Sequence, residues 1–152
     1  MTTDERIFLI PGPVKGKGRP RFATRGKFAV AYTDKRTASY ENLVKLCYRE
    51  KYGSAAPYEA GVPLMVKIRA CFPIPASWPK KRKAAAFWHT GKPDGDNIGK
   101  IVCDALNGIA WHDDGQVAVL DVQKRYVAEY PYCAVAIVAI PAETTEFERG
   151  QA

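Results

Sequence analysis

An acidic segment stands out in an otherwise basic chain. Residues 94–121 hold six aspartates and a single cation. Asp94 and Asp96 lie two residues apart, and in an extended backbone such residues share a face, so both carboxylates can point at one place. A second acidic pair, Asp113-Asp114, follows where a strand is expected to begin. Carboxylates gathered in this way repel one another unless a cation holds them together, which indicates a metal site.

The chemistry that such a site supports is metal-assisted phosphodiester cleavage. Mg²⁺, with Mn²⁺ as an acceptable substitute, takes oxygen ligands and completes its shell with waters and phosphate oxygens. A metal held this way activates water and stabilises the leaving oxygen, with one ion or two. The predicted ligands and catalytic carboxylates are Asp94, Asp96 and Asp114, and Asp113 is an additional candidate ligand. Lys100, one helical turn after Asp96, is predicted to neutralise the charge that builds on the scissile phosphate.

Other interpretations of these residues stay open. Asp96 can instead cap the following helix through its side chain. Asp96, Lys100 and Asp104 have the i, i+4, i+8 spacing of one helix face, which also suits a solvated face with a weak ion pair. His112 can serve as a ligand or general base, although a lone histidine beside an aromatic residue favours a structural role. Neither a cap nor a solvated face accounts for Asp94, and this favours the metal site.

Two other metal-dependent motifs fail on spacing. An EF-hand loop that begins at Asp94 would put Ile98 and Ala105 where its fifth and twelfth positions need oxygen ligands. Nucleases with a PD-(D/E)xK motif need an acid and a lysine two residues apart on one strand. Asp121 and Lys124 are three apart and would face opposite sides of a strand. The acidic segment therefore matches neither motif.

The distribution of positive charge indicates a polyanionic partner. The net charge is +7, the pI is near 9.3, and residues 1–36 carry nine Lys and Arg against three acids. A basic surface attracts phosphate backbones, so the predicted partner is DNA. For the basic segment, residues 15–27, the alternative is a solvated charged loop that binds no DNA. The predicted DNA-binding residues are Lys15, Lys17, Arg19, Arg21, Arg25, Lys27, Lys80, Lys81, Arg82 and Lys83.

Length and composition indicate one domain without a membrane partner. The chain has 152 residues, and we expect a domain over 1–142 followed by a polar tail over 143–152. No apolar run approaches the roughly 18–20 residues that span a bilayer. The N-terminus carries early acids and only a short apolar stretch, so it does not resemble a signal peptide. Buried, reduced thiols are expected for the cysteines, which are Cys47, Cys71, Cys103 and Cys133.

Hydrophobic periodicity predicts an α+β fold, a single mostly antiparallel or mixed sheet with helices packed on it. The predicted strands are 6–10, 27–32, 63–72, 117–127 and 132–140, and the predicted helices are 37–51, 80–89 and 97–106. Thr37 or Ser39 is the expected cap of the first helix, and Ser77 is the expected cap of the second. The last two strands are predicted to form a hairpin, and a second hairpin is plausible around 27–32.

The acidic segment resembles the RusA family of Holliday junction resolvases. The family pattern runs D-x-D-N-(L/I)-x-K, then D-A-L, then D-D-x-Q at the start of a strand. This chain reads Asp94-Gly95-Asp96-Asn97-Ile98-Gly99-Lys100, Asp104-Ala105-Leu106 and Asp113-Asp114-Gly115-Gln116. The runs GRPRF at 18–22 and SWPKK at 77–81 also resemble members of this family.

The resemblance implies a RusA-like homodimer that binds a four-way DNA junction and nicks two opposed strands symmetrically with Mg²⁺. It implies metal or catalytic roles for Asp94, Asp96 and Asp114 and a catalytic role for Lys100. The family is frequent in phages and prophages, which implies such an origin and a cytoplasmic location in a bacterial or phage-infected cell. The aromatic pair Phe87-Trp88 and the terminal strand are candidates for the dimer contact.

Two further functions fit the same residues. One is a metal-dependent nuclease with the same chemistry that acts on flaps, replication forks or linear duplex. The other is a non-catalytic basic DNA-binding protein whose acids only cap and solvate a helix. Cleavage of different DNA structures separates the first from a junction resolvase, and an Asp96→Asn variant with unchanged function would indicate the second.

Overall fold

The strands and helices follow from the hydrophobic pattern of the chain. The structure is a computed structural model that describes residues 4–19, 21–26, 28–32 and 34–141. Within these residues the elements in chain order are β1 (Glu5–Pro11), β2 (Arg21–Arg25), β3 (Phe28–Tyr32), α1 (Lys35–Tyr52), β4 (Leu64–Pro73), α2 (Lys80–Ala85), α3 (Gly95–Leu106), a 3₁₀ turn (Asp114–Gln116), β5 (Val117–Val127) and β6 (Tyr132–Ala139). The predicted α+β class is confirmed. The predicted polar tail, 143–152, lies outside the described residues.

The main sheet is mixed, with the strand order β1–β6–β4–β5. β6 pairs antiparallel with both β1 and β4, whereas β4 pairs parallel with β5. The last two predicted strands are therefore confirmed, but their hairpin is wrong because β4 lies between them. Adjacent strands are about 4.8 Å apart, so the short link 128–131 needs to cross only about 10 Å.

Burial explains why β4 and β6 occupy the centre of the sheet. Every second residue of β4 from Leu64 to Ala70 is fully buried, as the predicted alternation requires. In β6 the same holds for Cys133, Val135 and Ile137. β5 is half-buried along most of its length, which suits a strand at the edge. Both edges of β6 are paired within the sheet, so the terminal strand has no free edge to offer a second copy, and its part in a dimer contact stays a prediction.

Helices α1 and α3 cover one face of this sheet. They contact each other, with α1 against β1 and α3 against β5. Val44 and Tyr48 of α1 and Ile98 and Ile101 of α3 are almost completely buried in the core between helices and sheet. Each buried aliphatic side chain of this kind stabilises the fold by about 1.5–3 kcal/mol. All four cysteines are free thiols, and three of them are buried.

The helix ends differ from the predicted caps. α1 begins after Asp34 and not at Thr37, whose buried hydroxyl accepts a hydrogen bond from the Gly18 backbone. α2 begins after Pro79, so Ser77 is not its cap. No helix in the described part of the chain is long and apolar enough to cross a membrane.

The second predicted helix ends earlier than expected, at Ala85. The Phe87 carbonyl accepts a hydrogen bond from the Tyr126 backbone, and the His89 backbone donates one to the Lys124 carbonyl. The free edge of β5 offers these bonds to an extended segment, and bulky aromatic residues have low helix propensity. The prediction of a helix through residue 89 is therefore wrong.

The predicted strand 27–32 corresponds to β3, which forms a two-stranded sheet with β2, whereas β1 pairs with β6. β3 pairs antiparallel with β2. β2 lies in the basic segment, where the sequence pattern did not predict a strand. The alternation of apolar and small residues in β3 is visible in the sequence. In β2 the arginines at both ends obscure the corresponding pattern. The hairpin places part of the basic segment, residues 15–27, in a sheet separate from the main one.

Candidate active site

The first acidic pair lies at the start of α3. Asp94 is the N-cap residue in extended backbone, and its carbonyl accepts the Ile98 backbone hydrogen bond at 3.1 Å. Its side chain makes no capping bond and instead lies 3.1 Å from the Lys92 ammonium. Asp96 lies in the first helical turn and is exposed. The alternative in which Asp96 caps the helix is therefore wrong, because Asp94 occupies that position.

A lysine from β5 holds the loop that leads into α3. Lys124 Nζ donates to the Gly91 carbonyl at 2.5 Å and to the Pro93 carbonyl at 2.9 Å. These bonds fix the chain immediately before Asp94. Nothing in the sequence pattern marks Lys124 for this role, because its carbonyl partners belong to a loop distant in the chain.

α3 turns its polar stripe toward a cleft. Its apolar face is buried, and Gly99 lies so close to β5 that a Cβ there would be 2.9 Å from Leu120 Cδ2. Glycine at this position lets the helix backbone approach the strand. The opposite side carries the predicted stripe of Asp96, Lys100 and Asp104, which is confirmed.

The second acidic pair is held by a buried glutamine. Asp113 caps the 3₁₀ turn, because its carboxylate accepts the Gly115 backbone hydrogen bond at 3.0 Å. The Gln116 side-chain oxygen accepts from the backbones of His112 and Asp113 at 2.9 and 3.1 Å. Its amide nitrogen donates to the carbonyls of Glu59 and Val62 at 2.8 and 3.1 Å. The D-D-x-Q pattern therefore includes the residue that orients this turn.

Asp114 points away from its neighbour and into the protein. The indole nitrogen of Trp111, a fully buried side chain, donates to Asp114 Oδ1 at 2.9 Å. Burial raises the pKa of the Asp114 carboxyl above its ordinary value, and the Trp111 hydrogen bond opposes the rise. The charges of Asp104 and Asp113 raise this pKa further, and Lys100 lowers it. The expectation that Trp111 packs in the core is confirmed, but its hydrogen bond to Asp114 was not foreseen.

One cleft of about 340 Å³ gathers the polar stripe of α3 and the second acidic pair. It is lined by Asp96, Gly99, Lys100, Cys103, Asp104, Asp114, Val117 and Leu120. Three of the four predicted catalytic residues therefore share this cleft. Asp94 is outside the lining, and Asp113 and His112 line a different depression on the other side of the 3₁₀ turn. The Cys103 thiol is inert here, because burial and the two nearby aspartates raise its pKa to about 12.

The donor set of this cleft fits a hard divalent cation. Within the described residues, no three His, Cys, Asp or Glu side chains form a ready-made metal-binding group. Mg²⁺ does not need one, because it is usually held by one or two carboxylates together with waters and substrate phosphates. Asp96 and Asp114 supply two carboxylates in one cleft. The half-buried Asp114 carboxyl, with other acids around it, is the group that a cation would stabilise most.

A neutral side chain at position 114 is expected to stabilise the metal-free protein. A raised pKa means that folding favours the protonated carboxyl. This contribution is fully present below the ordinary pKa and is lost as the pH rises through the raised one. At pH 7 Asp114→Asn should therefore raise the melting temperature by about 2–4 °C, and the difference should shrink at pH 4. Calorimetry in chelator measures both values, and a lower melting temperature at pH 7 would contradict the burial argument.

The predicted DNA-binding residues differ in their exposure to solvent. Lys15, Arg19 and the four basic residues of α2 are exposed, and the Arg82 guanidinium lies 3.7 Å from the centre of the Trp78 ring. Lys17 instead points inward, with its ammonium between Glu41 and Asp104. Arg21 and Arg25 lie on β2, with side chains outside the description, and Lys27 lies outside the described residues.

Comparison with known proteins identifies the family. The family described as Endodeoxyribonuclease RusA matches residues 11–138, a range that contains the whole cleft. The Uncharacterized protein YqaN of Bacillus subtilis (strain 168) is 33% identical over 140 residues, which cover 89% of this chain and 96% of that protein. The chain therefore belongs to the RusA family of endodeoxyribonucleases, enzymes that resolve Holliday junctions by hydrolysing DNA.

Proposed function

We propose that this chain is a Mg²⁺-dependent homodimeric nuclease that resolves four-way DNA junctions by symmetric paired nicks. The observation that carries the proposal is the shared cleft of Asp96, Lys100 and Asp114, which brings two carboxylates and a cation together from separate elements. A four-way junction has two symmetric scissile points, and a two-fold dimer offers one such cleft to each. The reaction takes place in the cytoplasm of a bacterial or phage-infected cell.

Asp96 and Asp114 would hold the metal, with Asp94 as a third ligand. When bound, Mg²⁺ or Mn²⁺ activates water and stabilises the leaving oxygen of the phosphodiester. Among the described residues, Asp94 forms an ion pair with Lys92 alone, whose side chain is 86% exposed, and surface pairs of this kind contribute about 0–1 kcal/mol. Exchange of Lys92 for a divalent cation would therefore cost little. Asp113 is a weaker candidate, because its carboxylate caps the 3₁₀ turn.

The remaining catalytic group is Lys100. Its side chain is 61% exposed, and within the described part of the chain its ammonium has one ion-pair contact, a long one of 3.8 Å to Asp104. It lines the cleft beside Asp114 and can therefore face a phosphate that enters there. Its positive charge stabilises the negative charge that builds on the scissile phosphate. Trp111 orients Asp114 through its indole hydrogen bond and excludes water from that side of the carboxylate.

The DNA duplex arms bind to the exposed basic residues at the edge of the cleft and on α2. Arg19→Ala is expected to reduce the slope of log affinity against log salt by about 1.8, because each of the two protomers loses one phosphate contact at about 0.9 per contact. Fluorescence anisotropy of a labelled junction from 50 to 200 mM salt measures the slope. Arg49→Ala is the matched control, since Arg49 is an exposed arginine in the last turn of α1 and should leave the slope unchanged. Equal slopes for the two variants would contradict the assignment of Arg19.

Cleavage of synthetic DNA tests the proposed function. The substrates are a four-way junction, a flap, a fork and a linear duplex of the same sequence, each with Mg²⁺ or chelator. We expect paired nicks in the junction only, and only with Mg²⁺. Equal cleavage of the other substrates would identify a nuclease of broader specificity, and binding without cleavage would identify a non-catalytic DNA-binding protein.

A further inference from the structure

Lys17 has surroundings unlike those of Lys15, the exposed lysine two residues before it. Its ammonium lies 2.5 Å from Glu41 Oε1 and 3.1 Å from Asp104 Oδ2. The three side chains are only 20%, 15% and 29% exposed, respectively. Glu41 belongs to α1 and Asp104 to the polar stripe of α3, so this lysine links both helices at the edge of the cleft.

The backbone around Lys17 is held in place from two sides. Its backbone nitrogen donates to the Asn97 carbonyl at 2.9 Å, and the next residue donates to the Thr37 hydroxyl at 3.1 Å. On the other side, a Cβ at Gly16 would lie 2.8 Å from Pro93 Cβ, so only glycine allows this approach to the start of α3. The position of the ammonium is therefore defined by packing and does not depend on a loose loop.

Asp104 is shared by two lysines. Its Oδ2 atom lies 3.1 Å from Lys17 Nζ and 3.8 Å from Lys100 Nζ. Lys100 is one helical turn from Asp104, a spacing at which oppositely charged side chains attract each other. The nearer and more buried Lys17 satisfies the carboxylate, so Lys100 stays exposed and free to turn into the cleft. Without Lys17, the nearest cation for Asp104 among the contacts above is Lys100.

We propose that Lys17 is a positioning residue for the cleavage reaction, which holds Asp104 and thereby keeps Lys100 free to face the scissile phosphate. This rests on the proposed role of Lys100 in the cleft. It changes the expected role of Lys17, which is engaged by carboxylates of its own chain and not by DNA phosphates. The basic segment thus contributes to the reaction as well as to DNA binding.

A double-mutant cycle tests this role. Lys17→Met should lower the single-turnover rate of junction cleavage about tenfold, a coupling in the usual range for directly paired charges. The same substitution in the Asp104→Asn background should lower the rate less than about twofold, because no carboxylate remains to capture Lys100. Lys17→Arg should recover most of the rate. Equal losses in both backgrounds, or a loss in junction affinity and salt dependence alone, would overturn the proposal.

Two controls separate this role from a loss of folding or of activity in general. Lys17→Met leaves Glu41 without its partner, so Lys17→Met with Glu41→Gln is compared as well, and thermal melting is measured for each variant. A crystal structure of metal-free Lys17→Met should show the Lys100 ammonium in direct contact with Asp104, and an unchanged separation would overturn the proposal. If the wild type cleaves no junction, the proposed function fails, whereas cleavage without coupling refutes only the role of Lys17.

Discussion

Asparagine in place of Asp96 or Asp114 is expected to lower the rate of junction cleavage by about 10²–10³-fold, with junction affinity within a few-fold of wild type. Both carboxylates line the cleft, and the amide keeps the size of the side chain but cannot hold a divalent cation as strongly. Single-turnover cleavage and electrophoretic binding assays measure the two quantities separately. For Asp114 the same substitution should stabilise the metal-free fold, so activity and stability should change in opposite directions.

Asp121→Asn is the matched control for this pair of variants. Asp121 lies on β5 in an ion pair with Arg69 at 3.0 Å and does not line the cleft, so its substitution should leave the rate almost unchanged. Asp94→Asn adds a third comparison, because the Asp94 carboxylate lies outside the lining and beside Lys92. A loss equal to that of Asp96→Asn supports Asp94 as a ligand. Near-normal cleavage by Asp96→Asn would refute the proposed metal site.

Gln116→Met is expected to destabilise the protein by about 3 kcal/mol or more, which lowers the melting temperature by about 10 °C. The buried amide makes four hydrogen bonds to backbone groups, and methionine has a similar length but replaces none of them. Asp114 is the first residue of the 3₁₀ turn that these bonds hold, so the cleavage rate should fall as well. Calorimetry and single-turnover cleavage at a temperature where the variant remains folded measure both effects.

Gln123→Met is the corresponding control, since Gln123 is a half-buried glutamine on β5 whose amide oxygen contacts the Arg125 side chain. Its substitution should shift the melting temperature by only a small fraction of the Gln116 effect. Similar shifts for both variants would mean that the hydrogen bonds of Gln116 contribute no more than ordinary side-chain packing. A normal cleavage rate in folded Gln116→Met would show that Asp114 is positioned by Trp111 without the turn.

Local patterns by themselves determined most of the strands and helices and the family of the enzyme. The alternation of β4 and the apolar stripe of α3 are properties of neighbouring residues, so a single chain displays them. The spacing of Asp96 and Lys100 follows from the helix repeat. Because the chain turns back after this helix, Asp114 was expected to lie near both of them. The family pattern in residues 94–116 is likewise a local feature, and the match over residues 11–138 confirms it. Residue types and short-range spacing thus identified an endodeoxyribonuclease.

Only the tertiary structure decided the sheet order and the partners of the proposed catalytic groups. The place of β4 between β5 and β6 depends on which strands must be buried on both edges, and this is a property of the whole sheet. Lys17 meets Asp104, and Lys124 meets the loop before α3, across long stretches of chain. Such contacts have no local signature, because a charged residue looks the same in sequence whether it faces solvent, DNA or a carboxylate of its own protein. Packing alone brings these groups within hydrogen-bonding distance.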